Sequence, residues 1–335
     1  MQRLLMAVAN LPPYGSGAEQ VAWGLGNSLA NTYEVHILTT KGGDLTNTVT
    51  LHLVPHYPLM TIIYSTILRQ VISTIVSRIS PAIIHSHITL PFGYIFQSEK
   101  QIKTVVSVSG SDVFPRKHYP ERFFVLSALR GSSAVICQSR WLARYLEENY
   151  QVHPAVIPNG VDTRIFRPHA YLPTSNVVLF VGRFIKMKGI LELLKAAREL
   201  PQYEFWLAGR GPLQIPKLPN VKNLGFHRNT AELYAKASLC VFPSHHENFP
   251  TVGLEAMACG KALVATERGF SEYIENGKDG ILVKPHDVHS LVGAIRYLME
   301  NEKTRRELEK NARNKATQYD WTVIADKYAK LYDSL

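Results

Sequence analysis

Short apolar runs recur along this chain and alternate with longer stretches whose apolar positions fall three or four residues apart. The first pattern suits strands buried on both faces, and the second suits helices that cover a sheet. Strands are expected at 4–9, 34–39, 82–85, 104–108, 134–137, 154–157, 177–181, 203–208, 239–242, 262–265 and 281–283. Helical patterns lie between many of them, at 18–30, 62–79, 140–148, 189–199, 230–236 and 287–300, and a last helix covers roughly 321–333. Such alternation predicts an α/β architecture with parallel sheets. Eleven strands are too many for one Rossmann-sized unit, so two Rossmann-like domains are expected. The break falls at 158–176, where Pro158-Asn159-Gly160, Pro168, Pro173 and Thr174-Ser175-Asn176 are turn signals.

Composition agrees with two globular domains. The chain has 335 residues, 46% hydrophobic and 19% charged. Its net charge of +10 is spread evenly, five in excess up to His169 and five after it, with no basic block of the kind that binds nucleic acid. A locally basic stretch runs through Arg116, Lys117, Arg122, Arg130, Arg140 and Arg144. It reads first as a solvated face and second as an attraction for anionic lipid or a phosphorylated substrate. Cys137, Cys240 and Cys259 lack ligand spacing and read as buried thiols of a cytoplasmic protein. The chain opens directly on a strand, so no signal peptide is expected. Residues 59–79 are apolar but carry Arg69, Gln70 and Arg78, a poor membrane span. Ile63, Ile67, Val71 and Ile75 recur every four residues, predicting a core helix, with a membrane-surface helix as runner-up.

The richest segment is Glu247 to Glu255, E-N-F-P-T-V-G-L-E. It follows the apolar run Leu239 to Phe242 and leads into a small-residue helix closed by Gly260. Two carboxylates therefore straddle a strand-to-helix junction. Carboxylates accept hydrogen bonds from hydroxyls, and a helix start favours an anion, so the pair suits a ligand with many hydroxyls and a phosphate. Two glutamates near a helix start are also common for capping reasons alone. A second segment, V-G-R-F-I-K-M-K-G at 181–189, ends a strand in a glycine and sets Arg183 and Lys188 beside a helix start, an anion-binding arrangement.

The run E-N-F-P-T-V-G-L-E-A-M-A-C-G-K-A-L-V-A-T resembles the donor-binding segment of family 4 of the retaining glycosyltransferases. The E-x7-E spacing and the E-A-M-A-C-G continuation both match. Further segments carry the likeness. L-P-P-Y-G-S-G-A-E, with Gly15 and Gly17, is similar to the family's first glycine-rich loop. I-I-H-S-H holds His85 and His87, and V-S-V-S-G-S-D-V holds Ser109 and Asp112. Many relatives have H-G-x-D at the latter, and Ser109 stands where that His would be. V-I-P-N-G-V-D at 156–162 also matches, as does Asn223-Leu-Gly-Phe226, where relatives meet the nucleotide base through backbone atoms. F-S-E-Y-I-E-N-G at 270–277 is similar to the family's closing loop, with Glu272 a weaker candidate. The likeness spans nearly the whole chain and is dense from 156 to 285. The first loop lacks G-x-G-x-x-G spacing, which disfavours a nicotinamide site. His85 and His87 lack a third ligand at useful spacing, which disfavours a metal there.

The resemblance implies a GT-B fold, two Rossmann-like domains facing each other across a cleft. An acceptor-binding domain is expected at 1–165, a nucleotide-sugar-binding domain at 166–318, and a C-terminal helix at 319–335 crossing back to the first domain. Glu255 is expected to bind ribose hydroxyls and Glu247 those of the transferred sugar, with Asn248, Phe249, Pro250, Thr251, Gly225 and Phe226 completing the donor site. Arg183 and Lys188 are expected to hold the diphosphate, making Arg183, Lys188 and Glu247 the catalytic set. Gly15, Gly17, His87, Ser109 and Asp112 are the candidates on the first domain's side. The implied activity is retaining transfer of a sugar from a nucleotide-diphosphate sugar, UDP favoured, to a glycan, lipid-linked or small-molecule acceptor, in cell-surface polysaccharide or glycolipid synthesis. No cofactor is expected, and since no D-x-D occurs, no metal either. The expected location is cytoplasmic, with peripheral contact at the inner membrane face left open. The competing readings are a sugar-nucleotide epimerase of the same fold, a pyridoxal-phosphate phosphorylase, whose chains are far longer, and a non-catalytic nucleotide-sugar binding module.

Overall fold

A computed structural model describes residues 1–11, 17–42, 49–54, 61–110, 113–114, 119–169 and 176–335. The chain divides into two compact units, one of Met1–Gly160 with Trp321–Leu335, the other of Val161–Asp320.

The first unit is built on a parallel sheet of β1 (Arg3–Ala7), β2 (Glu34–Thr39), β3 (Val49–Leu53), β4 (Ile83–Ser86), β5 (Lys103–Val108), β6 (Ala134–Cys137) and β7 (Ala155–Val156). Their order is β3-β2-β1-β4-β5-β6-β7. Leu4 to Ala7 are wholly buried, which is why β1 is apolar at successive positions rather than alternate ones. Strand β3 was not among the expected strands. Thr50 and His52 interrupt its apolar positions, which an edge strand with only one neighbour tolerates.

Helices α1 (Gly17–Leu29), α2 (Thr61–Ile79), α3 (Tyr119–Gly131) and α4 (Arg140–Tyr150) belong to this unit. The buried stripe of α2 is Leu68, Ile72, Val76 and Ile79, packed with Leu5, Ile84 and Phe92, while Val71 and Ile75 flank it half-buried. The core face is therefore turned one residue from the expected one, and the side chains of Ile63 and Ile67 lie outside the described residues. No helix among the described residues is long and apolar enough to cross a membrane. Ser139 caps α4 as its sequence position suggests, accepting from the Leu142 N–H at 3.0 Å. The C-terminal helix, Trp321–Asp333, lies against α1. A Cβ at Gly24 would sit 2.3 Å from the Trp321 indole and one at Gly160 2.5 Å from it, so the indole fills space that only glycines leave.

The second unit carries β8 (Val177–Val181), β9 (Glu204–Ala208), β10 (Val221–Gly225), β11 (Leu239–Phe242), β12 (Leu263–Thr266) and β13 (Ile281–Val283), in the parallel order β10-β9-β8-β11-β12-β13. Its helices are α5 (Ile190–Glu199), α6 (Thr230–Lys236), α7 (Thr251–Ala258), the short kinked α8 (Glu267–Phe270), α9 (Val288–Glu300) and α10 (Glu302–Ala316). Successive residues of β8 divide between two apolar clusters. Val177, Leu179 and Val181 pack with α7 residues, Val178 and Phe180 with α5 and α9 residues. The pleat thus accounts for both helical layers. Helix α10 is so polar that only Leu308, Ala312 and Ala316 are buried, and hydrophobic patterning passed over it.

Candidate active site

Strands β8 and β11 are neighbours, and the loops leaving their carboxyl ends are joined. After β8 the chain turns through a short 3-10 segment, Lys186–Lys188, into Gly189. Gly189 has φ +68, and a Cβ there would lie 1.8 Å from the Pro243 carbonyl oxygen, so glycine alone permits this approach. The His245 N–H donates to the Met187 carbonyl at 2.8 Å. These contacts bring Lys188 to Glu247, 59 residues away in sequence, and its ammonium donates to Oε1. The Ser244 hydroxyl donates to the same oxygen at 3.0 Å. From behind, Gly269 (φ +86) presses on the Glu247 backbone, where an added Cβ would meet its carbonyl oxygen at 2.5 Å.

The second carboxylate sits differently. Helix α7 begins after Pro250, and Glu255, its fifth residue, is buried. The Tyr234 hydroxyl donates to its Oε2 at 3.0 Å. Burial pushes the Glu255 carboxyl up to about 7, and the Tyr234 hydrogen bond offsets that only in part. The two glutamates of one motif are thus unlike: one is ion-paired, the other is held near neutrality. Between them, the Phe249 side chain is core, 4.9 Å from the Tyr273 ring, and the Tyr273 hydroxyl donates to the Pro250 carbonyl at 2.7 Å. Asn248 and Thr251 are half-buried.

A cavity of about 520 Å³ lies at the ends of β9 and β10, lined by Phe184, Arg210, Gly211, Asn223, Gly225 and Phe226 among others. The Arg210 guanidinium lies over the exposed Phe226 ring, 4.7 Å from its centre. The Ala208–Pro212 loop, A-G-R-G-P, escaped the sequence reading, although two glycines directly after an apolar run were a usable signal. Gly209 (φ +152) belongs to it, and a Cβ there would meet the Gly182 carbonyl at 1.8 Å, so this loop and the one after β8 touch. Arg183, on that β8 loop, is exposed and pairs with no carboxylate among the described residues. Carboxyl ends of parallel strands are where open α/β sheets bind ligands.

In the first unit, Gly15 and Asp112 lie outside the described residues. Gly17 opens α1 with clear space where a Cβ would point. His87 is buried, its Nε2 has no hydrogen-bond partner among the described residues, and burial holds its pKa down to about 3. His85 is core: Nδ1 meets the Tyr332 hydroxyl at 2.6 Å and Nε2 the Ser107 hydroxyl at 2.8 Å. Both of its ring nitrogens are therefore spoken for within the fold. Ser109 is half-buried in the loop after β5.

Two family models match the chain, "Glycosyl transferases group 1" over residues 161–315 and "Glycosyltransferase Family 4" over residues 15–165. An uncharacterized glycosyltransferase of Methanocaldococcus jannaschii is 29% identical over 321 residues, covering 90% of each chain. The N,N'-diacetylbacillosaminyl-diphospho-undecaprenol alpha-1,3-N-acetylgalactosaminyltransferase of Campylobacter jejuni is 36% identical over 178 residues, covering 50% of this chain and 47% of that one. Among solved structures, Anabaena HepE in complex with UDP and glucose matches with a TM-score of 0.83 at 21% identity, over 100% of both chains. A likeness of that kind carries the fold, GT-B, with its two parallel-sheet α/β domains.

Proposed function

The chain belongs to the group 1 glycosyltransferases, and on that premise we propose that it is a retaining transferase moving a sugar from a UDP-sugar to an acceptor hydroxyl. The observation that carries this reading is the Lys188–Glu247 pair, set at the ends of β8 and β11 with Glu255 buried on the helix that follows. A cation held beside a carboxylate at strand ends suits a sugar diphosphate, charged at one end and hydroxylated at the other. Glu247 accepts from hydroxyls of the transferred sugar, and backbone N–H groups of Asn248 and Phe249 orient it. Glu255 accepts from the ribose hydroxyls near Thr251. The cavity around Gly225 and Phe226 takes the base, and Arg210 and Phe226 offer it a flat face.

In this reading the bond from the anomeric carbon to the diphosphate breaks, and the acceptor oxygen forms the new one on the same face. The departing phosphate oxygen takes the acceptor proton. Negative charge grows on the leaving group as the sugar becomes oxocarbenium-like, and Arg183 and Lys188 stabilise it. Each well-placed donor of this kind lowers such a barrier by roughly 3–4 kcal/mol, so no metal is required. The first unit takes the acceptor, with Gly15, Gly17, His87, Ser109 and Asp112 as its candidates. A lipid-linked acceptor is favoured, since the Campylobacter relative is named for one. That assignment puts the reaction in surface-glycan or glycolipid synthesis at the inner membrane face.

A thermal-shift screen against UDP, GDP, ADP and their sugars tests the donor site. Ligand at a hundredfold excess over Kd stabilises the native state by about 2.7 kcal/mol, enough to read as a clear shift. A shift with UDP and UDP-sugars is the expected result. No shift with any nucleotide sinks the donor-site reading, and turnover of nucleotide sugar without acceptor identifies an epimerase instead.

A further inference from the structure

We propose that Glu192, His245 and His286 form a binding site for one divalent first-row transition ion, with zinc(II) the best fit. The three residues come from separate places: Glu192 from the first turn of α5, His245 from the loop after β11, and His286 from the loop between β13 and α9. Their ligand atoms all lie within 4.8 Å of one another. His245 Nε2 is 3.1 Å from Glu192 Oε2, and His286 Nδ1 is 3.4 Å from Glu192 Oε1. An ion with bonds of about 2.0–2.1 Å in tetrahedral geometry keeps its ligand atoms about 3.3 Å apart, so side chains held within 4.8 Å would draw inward to take it.

The polar bookkeeping points the same way. His245 Nε2 and Glu192 Oε2 are both buried and 3.1 Å apart, and neither has a well-aligned hydrogen-bond partner among the described residues. The two atoms face each other as an ion pair in poor hydrogen-bond alignment, so each keeps a lone pair that a cation could take. The imidazole rings stand 3.9 Å apart between centres. Two imidazoles and one carboxylate brought this close form a donor set that zinc accepts. Three protein ligands leave a fourth position for water.

The ion would act as a clip. His245 is two residues before Glu247, and its N–H holds the Met187 carbonyl beside Lys188. Tying His245 to α5 and to the β13–α9 loop fixes both loops that carry the Lys188–Glu247 pair. The site is distinct from the diphosphate-binding residues and does not rest on the transfer reading, because binding is measured directly.

The test is calorimetric titration of the full chain, stripped with chelator and free of any histidine tag, with zinc(II), and with cobalt(II) read by its visible d–d absorption. We expect one ion per chain, and an intense cobalt spectrum of tetrahedral type. His245→Ala, His286→Ala and Glu192→Gln should each weaken binding by more than the roughly 10–100-fold that losing an outer-shell partner costs. His153→Ala, at an exposed histidine paired with Glu147, should change nothing. Circular dichroism of the stripped variants checks that they fold. Stoichiometric binding that survives His245→Ala and His286→Ala overturns the proposal. Absence of binding at micromolar zinc also overturns it and leaves the cluster an ion pair. Either result leaves the nucleotide-shift experiment untouched.

Discussion

Replacing Glu255 by Gln separates what the fold prefers from what a ligand would need. Glu255 is buried, and its carboxyl titrates at about 7 against an ordinary 4.5. Below pH 4.5 the group is neutral in both folded and unfolded chains and costs nothing. Between 4.5 and about 7 the unfolded chain ionises while the folded one stays protonated, so stability falls as pH rises, and above about 7 the loss is complete. At 1.36 kcal/mol per pKa unit, that loss is about 3 kcal/mol. A glutamine never ionises, and its amide oxygen still accepts from Tyr234, whose hydroxyl reaches Oε2 at 3.0 Å in the native protein. The variant should therefore differ least from the wild type at the acid end and outlast it by about 3 kcal/mol at pH 8, or roughly 6–12 °C in Tm. Melts of both proteins from pH 5 to 8, followed by far-ultraviolet dichroism, give the difference directly, and titrations shared by the two proteins cancel. A difference that stays flat across that range refutes the argument. Under the donor-site proposal the same variant binds UDP more weakly, since an amide accepts fewer hydroxyls than a carboxylate. Nucleotide binding to the wild type at pH 6.5 should then release protons, which calorimetry in two buffers of different ionisation enthalpy detects.

Other perturbations test the geometry piece by piece. Lys188→Ala leaves Glu247 half-buried without its cation and should lower transfer at least 10²-fold, with nucleotide-induced stabilisation reduced; near wild-type turnover would refute the charge-clamp mechanism. Gly269→Ala combines φ +86 with a Cβ 2.5 Å from the Glu247 carbonyl, so it should displace Glu247 and cut activity, a change visible in steady-state kinetics. Ser139→Ala removes the cap of α4 and should cost the first unit about 1 kcal/mol in denaturant unfolding while leaving donor affinity unchanged.

What could be read from sequence follows how each residue is held. Strand β11 and the E-x7-E segment were legible because a central strand is apolar at every position and the motif is continuous in the chain. Edge strands announce themselves less. In β10, Lys222 and Asn223 are exposed, and only the family likeness marked its end at Asn223–Phe226. The unlike environments of Glu247 and Glu255 were invisible, since they depend on Lys188 and Tyr234, which approach from other strands and helices. The same holds for the Glu192–His245–His286 cluster, whose outer members stand 94 residues apart. Spacing rules find sites built on one element; they miss sites assembled by a sheet's crossover order.

The Trp321 indole, lodged against Gly24 and Gly160, has a consequence for biosynthesis. The first unit is discontinuous: its second piece, Trp321–Leu335, is made only after the whole of the second unit. The second unit, an unbroken stretch from Val161 to Asp320, is fully synthesised before that piece emerges. Domains usually complete themselves in N-to-C order during translation. Here the order is inverted, and the first-made sheet waits through the whole synthesis of the second unit with its tryptophan socket empty. A chain cut short before Trp321 therefore leaves Gly24 and Gly160 without the indole that packs on them.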